Sequence, residues 1–121
     1  MITLRLPWPP TGNLTVRHTK SGAHYRTAAS KNYQKAVAAE AMIQGLHRLT
    51  PLVGRLRVIY HCWPPDARRR DLDNIAKTLN DALTYAGVWK DDSQIDDLQL
   101  SRCRIDPKGA GSVFLFLEEM A

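Results

Sequence analysis

Apolar and polar positions alternate at the start of the chain, which predicts a short strand with one buried face. In the segment ITLRLP, the apolar residues Ile2, Leu4 and Leu6 fall on the same side. The sequence WPPTGN follows and ends the strand, because proline cannot donate to a β-ladder and glycine permits a turn. The polar stretch 14–26 then predicts a long loop or a loose hairpin.

Two longer segments carry apolar residues at helical spacing. The first covers residues 27–49, is rich in alanine, and is followed by Pro51 and Gly54. Its expected buried face consists of Ala36, Ala39, Ile43 and Leu46. The second begins after Asp71 and closes at Gly87. Its apolar stripe consists of Leu72, Ile75, Leu79, Ala82, Leu83 and Ala86.

Three further segments predict strands: residues 55–63, residues 98–105 and the final SVFLFLEE. In the first of these, one face consists of Leu56, Val58, Tyr60 and Cys62. The continuous apolar run of SVFLFLEE indicates a central, buried strand. The resulting order is β-α-β-α-β-β, which predicts a single α+β domain spanning residues 1–121. We expect a mixed or antiparallel sheet of about four strands and two helices.

Composition narrows the class of protein without changing this fold. The chain has 121 residues, of which 44% are hydrophobic, enough for one domain with a core of its own. No run of eighteen apolar residues occurs, so no membrane partner is expected. Met1 leads directly into a strand pattern instead of a signal peptide, and the two cysteines fit a reducing compartment. We therefore expect a cytoplasmic protein.

The formal net charge of +5 favours a polyanionic partner, and nucleic acid is the first candidate. The positive charge is clustered. Arg68, Arg69 and Arg70 are consecutive, and Arg55 and Arg57 fall on one face of a predicted strand.

The arginine run leads into two carboxylates in the sequence RRRDLDN, where Asp71 and Asp73 are two residues apart. On one continuous helix their side chains would diverge by roughly 200°. They converge only if Asp71 precedes the helix, and aspartate is a preferred N-cap residue. A purely structural reading stays open, in which Asp71 caps the helix, Asp73 complements its dipole and the arginines are solvated.

More polar residues surround this pair. Lys77 lies one turn after Asp73 on the same helix face, about 6 Å along the axis, and Asn74 adds another polar group. Four further carboxylates follow the helix: Asp91, Asp92, Asp96 and Asp97. Carboxylates brought together repel each other unless a cation lies between them. Oxygen ligands of this kind suit Mg²⁺ or Mn²⁺, and a basic patch beside such an ion suggests phosphotransfer or nuclease chemistry.

These motifs resemble a known family. The segment RRRDLDNIAKTLNDAL, followed by GVWKDDSQI, is similar to the RusA family of Holliday junction resolvases, and LPWPPTGN resembles the start of that family. Together the motifs cover most of the chain in order. The resemblance implies a small homodimeric endonuclease that cuts four-way DNA junctions with Mg²⁺.

The resemblance also implies roles for individual residues. Asp71, Asp73 and Asp92 correspond to the catalytic, metal-binding carboxylates, and Lys77 corresponds to the catalytic lysine. The residues expected to bind DNA are Arg68, Arg69 and Arg70, with phosphate contact implied for Arg70. The residues expected to support the site are Asn74 and Asp91.

Two alternatives remain at this stage. The chain could be a basic junction-binding protein without catalysis, or a metal-dependent nuclease acting on other branched DNA or on RNA. The position of Asp92 is also open, because a straight helix from Asp73 to Ala86 is about 20 Å long. Asp92 must return along most of that length in about six residues, or the partner chain must supply this ligand.

Overall fold

The computed structural model describes residues 1–10, 16–18, 24–46 and 50–120. The strands are β1 (Ile2–Pro7), β2 (Val16–His18), β3 (His24–Arg26), β4 (Leu56–Trp63), β5 (Ile95–Arg102) and β6 (Ser112–Glu119). The helices are α1 (Ala28–Ile43) and α2 (Leu72–Tyr85), and a short 3₁₀ turn covers Asp92–Gln94. The predicted order of the main elements and the α+β class are confirmed.

Four strands form one mixed sheet in the order β1-β6-β4-β5. Strand β6 is antiparallel to both of its neighbours, and its central position confirms the reading of the apolar run SVFLFLEE. Strands β4 and β5 are parallel, as the intervening helix α2 requires. The short pair β2 and β3 is antiparallel, which corresponds to the loose hairpin predicted within residues 14–26.

The core lies between the sheet and the two helices. The predicted face of β4 is confirmed, since Leu56, Val58, Tyr60 and Cys62 are all fully buried. Strands β1 and β6 add Leu4, Leu6, Val113, Leu115 and Leu117 to the same core. Helix α2 covers it with the predicted stripe, in which Leu79 and Leu83 are fully buried. Within the described residues, neither helix is long and apolar enough to cross a membrane.

Helix α1 presents a different face to the core from the one predicted. Ala36 and Ala39 are exposed, and Ile43 is 76% exposed. The residues buried from this helix are Ser30, Tyr33, Gln34, Val37 and Ala41. Alanines on every side of the helix remove the contrast between its faces, so the larger Tyr33 and Val37 determine which side packs.

Helix α1 also ends six residues before its predicted end at residue 49. Gly45 adopts a φ of 87°, a left-handed conformation that glycine tolerates without a Cβ clash. The N–H of Leu46 then donates to the carbonyl of Ala41 at 2.7 Å, which closes the helix and returns Leu46 to the core. Residues 47–49 lie outside the described part of the chain.

Strand β5 lies three residues earlier than predicted, because it begins at Ile95 instead of residue 98 and ends at Arg102 instead of residue 105. Asp96 and Asp97 therefore belong to a strand and not to the acidic turn. Asp96 pairs with Arg55, which directly precedes β4, and Asp97 pairs with Arg57 of β4. The charges of both aspartates are therefore balanced across the β4–β5 pair. An edge strand with few buried positions has little hydrophobic contrast, and its start could not be located from the apolar pattern.

The turn before β6 packs tightly against the two proline-containing strand exits. A Cβ on Gly111 would lie 2.9 Å from Pro65 Cδ and 3.0 Å from Trp8 Cβ, and its φ is 75°. We expect Gly111→Ala to destabilise the fold by about 2–4 kcal/mol, from left-handed strain and overpacking together. Thermal or urea unfolding measures this change.

Gly109 provides the matched control for that variant. It has the same φ of 75°, but a Cβ there would meet no atom within 4 Å. Gly109→Ala should therefore cost only the backbone strain, about 1 kcal/mol. Equal losses for the two variants would show that the contact with Trp8 and Pro65 contributes nothing.

Candidate active site

The boundary of α2 lies where the sequence predicted, between Asp71 and Leu72. Asp71 is the N-cap residue, with extended φ and ψ of −89° and 128°. Its exposed side chain makes no capping hydrogen bond within the described structure. The backbone of Asp71 therefore has the conformation of an N-cap residue, but its carboxylate does not cap the helix.

Three of the predicted site residues meet in one shallow pocket. Asp73 and Lys77 reach it from the first turns of α2, and Asp92 reaches it from the start of the 3₁₀ turn. We call this cavity the carboxylate pocket. Its polar lining is Asp73, Lys77, Asn80 and Asp92, and its apolar lining is Leu72, Ala76, Leu98 and Leu100. Asp92 of the same chain thus lines the same pocket as Asp73, and it also lines a depression with Asp81, Thr84 and Tyr85 of α2.

The third predicted metal ligand stands apart from this pocket. In the described part of the chain, Asp71 does not line it, and no three His, Cys, Asp or Glu side chains are grouped closely enough to hold an ion. Two carboxylates nevertheless form a suitable donor set, because Mg²⁺ is commonly held by one or two carboxylates together with waters and substrate phosphate.

The turn that carries Asp92 is fixed by its neighbours. The carboxylate of Asp91 accepts from the N–H of Ser93 at 3.0 Å, and the Gln94 side chain accepts from the N–H of Asp91 at 2.8 Å. Asp91 and Gln94 form a capping box, in which the Asp91 carboxylate also accepts from the backbone of Gln94, and the hydrogen bonds from Ser93 lower the pKa of Asp91. Gln94 also donates to the carbonyl of Leu52 at 2.9 Å. Asp91 therefore shapes the turn that presents Asp92.

Asn80 is a pocket residue that the sequence reasoning missed. Its Oδ1 accepts a hydrogen bond of 2.6 Å from the fully buried hydroxyl of Tyr60. Burial is the main reason why the pKa of Tyr60 is raised, and the nearby charge of Asp92 adds to it. The backbone carbonyl of Asn80 accepts from Thr84, whose hydroxyl accepts from the indole of Trp89. By contrast, Asn74 is exposed on α2 and lies outside the pocket lining of the described residues.

A second depression, which we call the arginine groove, lies on the other side of Leu72. Its basic lining is Arg68, Arg69, Arg70 and Arg102. The side chain of Arg68 is 84% exposed, whereas that of Arg70 is only 13% exposed. Leu72 lines both the groove and the carboxylate pocket, so cations and carboxylates are adjacent at the start of α2.

Arg55 and Arg57, the other clustered arginines, are engaged in ion pairs with acidic side chains. Arg55 pairs with Asp96 through its Nε, at 3.0 Å, and lowers the pKa of that carboxyl. Arg57 pairs with Asp97 at 2.9 Å and approaches Glu118 at 3.5 Å. These pairs balance the charge of the sheet surface away from the carboxylate pocket.

Comparison with known proteins identifies the family of this chain. Residues 7–110 match the family model described as endodeoxyribonuclease RusA. The chain is 37% identical over 106 residues to the crossover junction endodeoxyribonuclease rusA of Enterobacteria phage 82, covering 88% of this chain and 86% of the relative. It is 36% identical over 107 residues to the protein of that name from Escherichia coli strain K12, covering 88% and 87%.

The matched family model is that of a nuclease, and this small α+β domain carries two carboxylates and a lysine in one pocket beside a basic groove. The matched region spans most of the chain and contains every residue of the carboxylate pocket and of the arginine groove. The chain belongs to the RusA family of endodeoxyribonucleases.

Proposed function

We propose that this protein is a Mg²⁺-dependent endonuclease that resolves Holliday junctions by paired, symmetric nicks during DNA recombination and repair. One observation carries the proposal: Asp73, Lys77 and Asp92 converge from α2 and the 3₁₀ turn in a pocket beside the arginine groove. Relatives that match over nearly the whole chain are named crossover junction endodeoxyribonucleases.

The carboxylate pocket supplies the metal ligands. Asp73 and Asp92 hold Mg²⁺, with Mn²⁺ as the alternative ion, and Asp71 adds a third carboxylate from the residue before the helix. When bound, the ion supplies an activated water and neutralises charge on the phosphate. Two carboxylates that line one pocket favour its occupation by a cation.

Lys77 provides the fixed positive charge in the same pocket. It lies one helical turn after Asp73, on the same side of α2. Its ammonium group stabilises the negative charge that builds up on the phosphate oxygens as the phosphodiester bond breaks. The helix backbone fixes only the base of this side chain, and the flexible stem of Lys77 lets its ammonium group reach the reacting phosphate.

The arginine groove holds the DNA backbone next to the carboxylate pocket. Arg68 and Arg69 are exposed at its rim and bind phosphates on either side of the cut. Recognition that rests on phosphates and on branch shape weakens steeply with salt.

Two symmetric nicks require two copies of the site. A twofold homodimer presents them, since closed symmetry repeats each site once per protomer. The substrate is a four-way DNA junction, and the protein acts with the DNA in the cytoplasm.

Cleavage of a substrate panel tests this function. Purified protein is incubated with a four-way junction, a replication fork, a linear duplex and an RNA, with and without Mg²⁺. We expect paired nicks in the four-way junction only when the ion is present. Junction binding without any cleavage would leave a junction-binding protein, and stronger cutting of forks or RNA would reassign the substrate.

A further inference from the structure

The loop before α2 is organised around the carboxylate of Asp66. Its Oδ1 accepts from the backbone N–H of Arg68 at 2.9 Å and pairs with Nη2 of Arg70 at 2.8 Å. The guanidinium of Arg70 also donates to the carbonyls of Asp66 and Arg68, both at 3.2 Å. The Nε of Arg68 also lies 3.7 Å from Asp66 Oδ2, so this one acid pairs with both arginines and closes the loop on itself.

Two further groups hold the same arginine in place. The Arg70 guanidinium lies over the ring of Trp8, 5.5 Å from its centroid, which is cation–π distance. Arg102, at the end of β5, donates to the carbonyl of Arg70 at 2.5 Å. We call the group formed by Asp66, Arg70 and Trp8 the loop clasp. It fixes the residue directly before Asp71.

The clasp separates the three arginines into two roles. Arg70 is turned inward, with its donors used by Asp66 and by the loop backbone. Arg68 and Arg69 remain exposed on the outer side of the same loop. A flexible loop would have to be ordered whenever DNA binds, whereas a closed loop presents its cations already arranged.

We propose that Asp66 is a positioning residue, which directly and through Arg70 holds the loop that presents Arg68 and Arg69 as phosphate contacts beside the carboxylate pocket. This inference rests on the proposed function, since it concerns how the same site binds junction DNA.

The sign of the effect on DNA binding separates this role from simple electrostatics. Asp66→Asn removes one negative charge from a basic groove, which changes the net charge from +5 to +6. Electrostatics alone predicts tighter binding to a polyanion. Loss of the clasp predicts weaker binding, because the charge pair that closes the loop is gone.

Asp96→Asn is the matched control. Asp66 pairs with Arg70 and, at 3.7 Å, with Arg68, whereas Asp96 pairs with Arg55, and both acid side chains are 44% exposed. Binding of a four-way junction is measured without divalent ions over a series of salt concentrations. We expect Asp66→Asn to bind the junction about 10-fold more weakly than wild type. The slope of log K against log salt concentration should fall in magnitude by about 1 to 2, which corresponds to the loss of about 1 to 2 phosphate contacts. Asp96→Asn should bind as well as wild type or slightly better.

A second variant tests the same clasp from the other side. Trp8→Leu removes the ring beneath Arg70, so it should weaken binding as Asp66→Asn does. Because both substitutions act through Arg70, their effects should not add. The double variant should bind DNA about as tightly as the single variant that has the lower affinity. Unfolding midpoints of all variants, compared with Asp96→Asn, show that each remains folded at the assay temperature.

The outcomes distinguish the two proposals. Asp66→Asn binding as tightly as wild type, or more tightly, with an unchanged salt slope would overturn the role of the clasp while leaving the nuclease intact. If wild type binds the junction but does not cut it with Mg²⁺ or Mn²⁺, the nuclease proposal fails, and the binding data still decide the role of Asp66.

Discussion

Replacing Asp73 or Asp92 by asparagine should abolish junction cutting while junction binding is retained. Each change replaces a negatively charged metal ligand of the carboxylate pocket by a neutral amide. Both aspartates line this pocket together with Lys77. One preorganised electrostatic group is commonly worth 10²–10³ in rate, so we expect a loss on the order of 10³-fold or more. Single-turnover cleavage of a four-way junction with saturating Mg²⁺ measures the rate.

Junction affinity provides the second half of this prediction. Loss of a carboxylate lowers the repulsion of DNA phosphates, so affinity measured without metal should hold or rise. Asp97→Asn is the control, because Asp97 pairs with Arg57 on β4 and should leave the rate unchanged. Full nicking by the Asp73 or Asp92 variant would refute this site.

Asp71 calls for a separate variant, since it lies outside the described pocket lining. We expect Asp71→Asn to lose cutting as well, because the next residue, Leu72, belongs to both the groove and the pocket. Its carboxylate is not used by a cap hydrogen bond within the described residues, which leaves it available for a metal. Wild-type cutting by this variant would remove Asp71 from the ligand set.

The strand cores could be predicted because their residues alternate with a clear contrast. Tyr60 and Cys62 are buried as expected, and β6 has both neighbours that its apolar run indicated. Helix α1 gave no such contrast. Its alanines fit any face, and the buried Ser30 and Gln34 are polar residues that a hydrophobic pattern assigns to solvent.

Closeness in sequence predicted that Asp73 and Lys77 share a pocket, but it did not bring Asp71 into the lining of that pocket within the described residues. Asp73 and Lys77 are one turn apart on α2, and their meeting follows from helix geometry alone. The contact of Tyr60 with Asn80 joins a strand to a helix across 20 residues, so no local pattern reports it. Asp96 and Asp97 appeared to belong to the acidic group because the start of an edge strand was misplaced.

Trp89 links the hydrophobic core to the turn that carries Asp92. Its side chain is fully buried, and its indole N–H donates to the Thr84 hydroxyl at 2.7 Å. Its backbone forms an isolated parallel bridge with Leu52, and the next residue, Lys90, donates to the Leu52 carbonyl at 3.2 Å. The turn carrying Asp92 begins immediately after this anchored pair.

Trp89→Ala should therefore destabilise the protein by about 3–5 kcal/mol, the usual cost of deleting a large buried aromatic side chain. That is a large part of the roughly 5–15 kcal/mol by which domains of this size are stable. Urea denaturation should show a lower midpoint with an unchanged slope. Lys90→Ala, at an exposed neighbouring position, is the control and should change stability by less than about 0.5 kcal/mol. Equal midpoints for the two variants would show that Trp89 does not anchor this turn to the core.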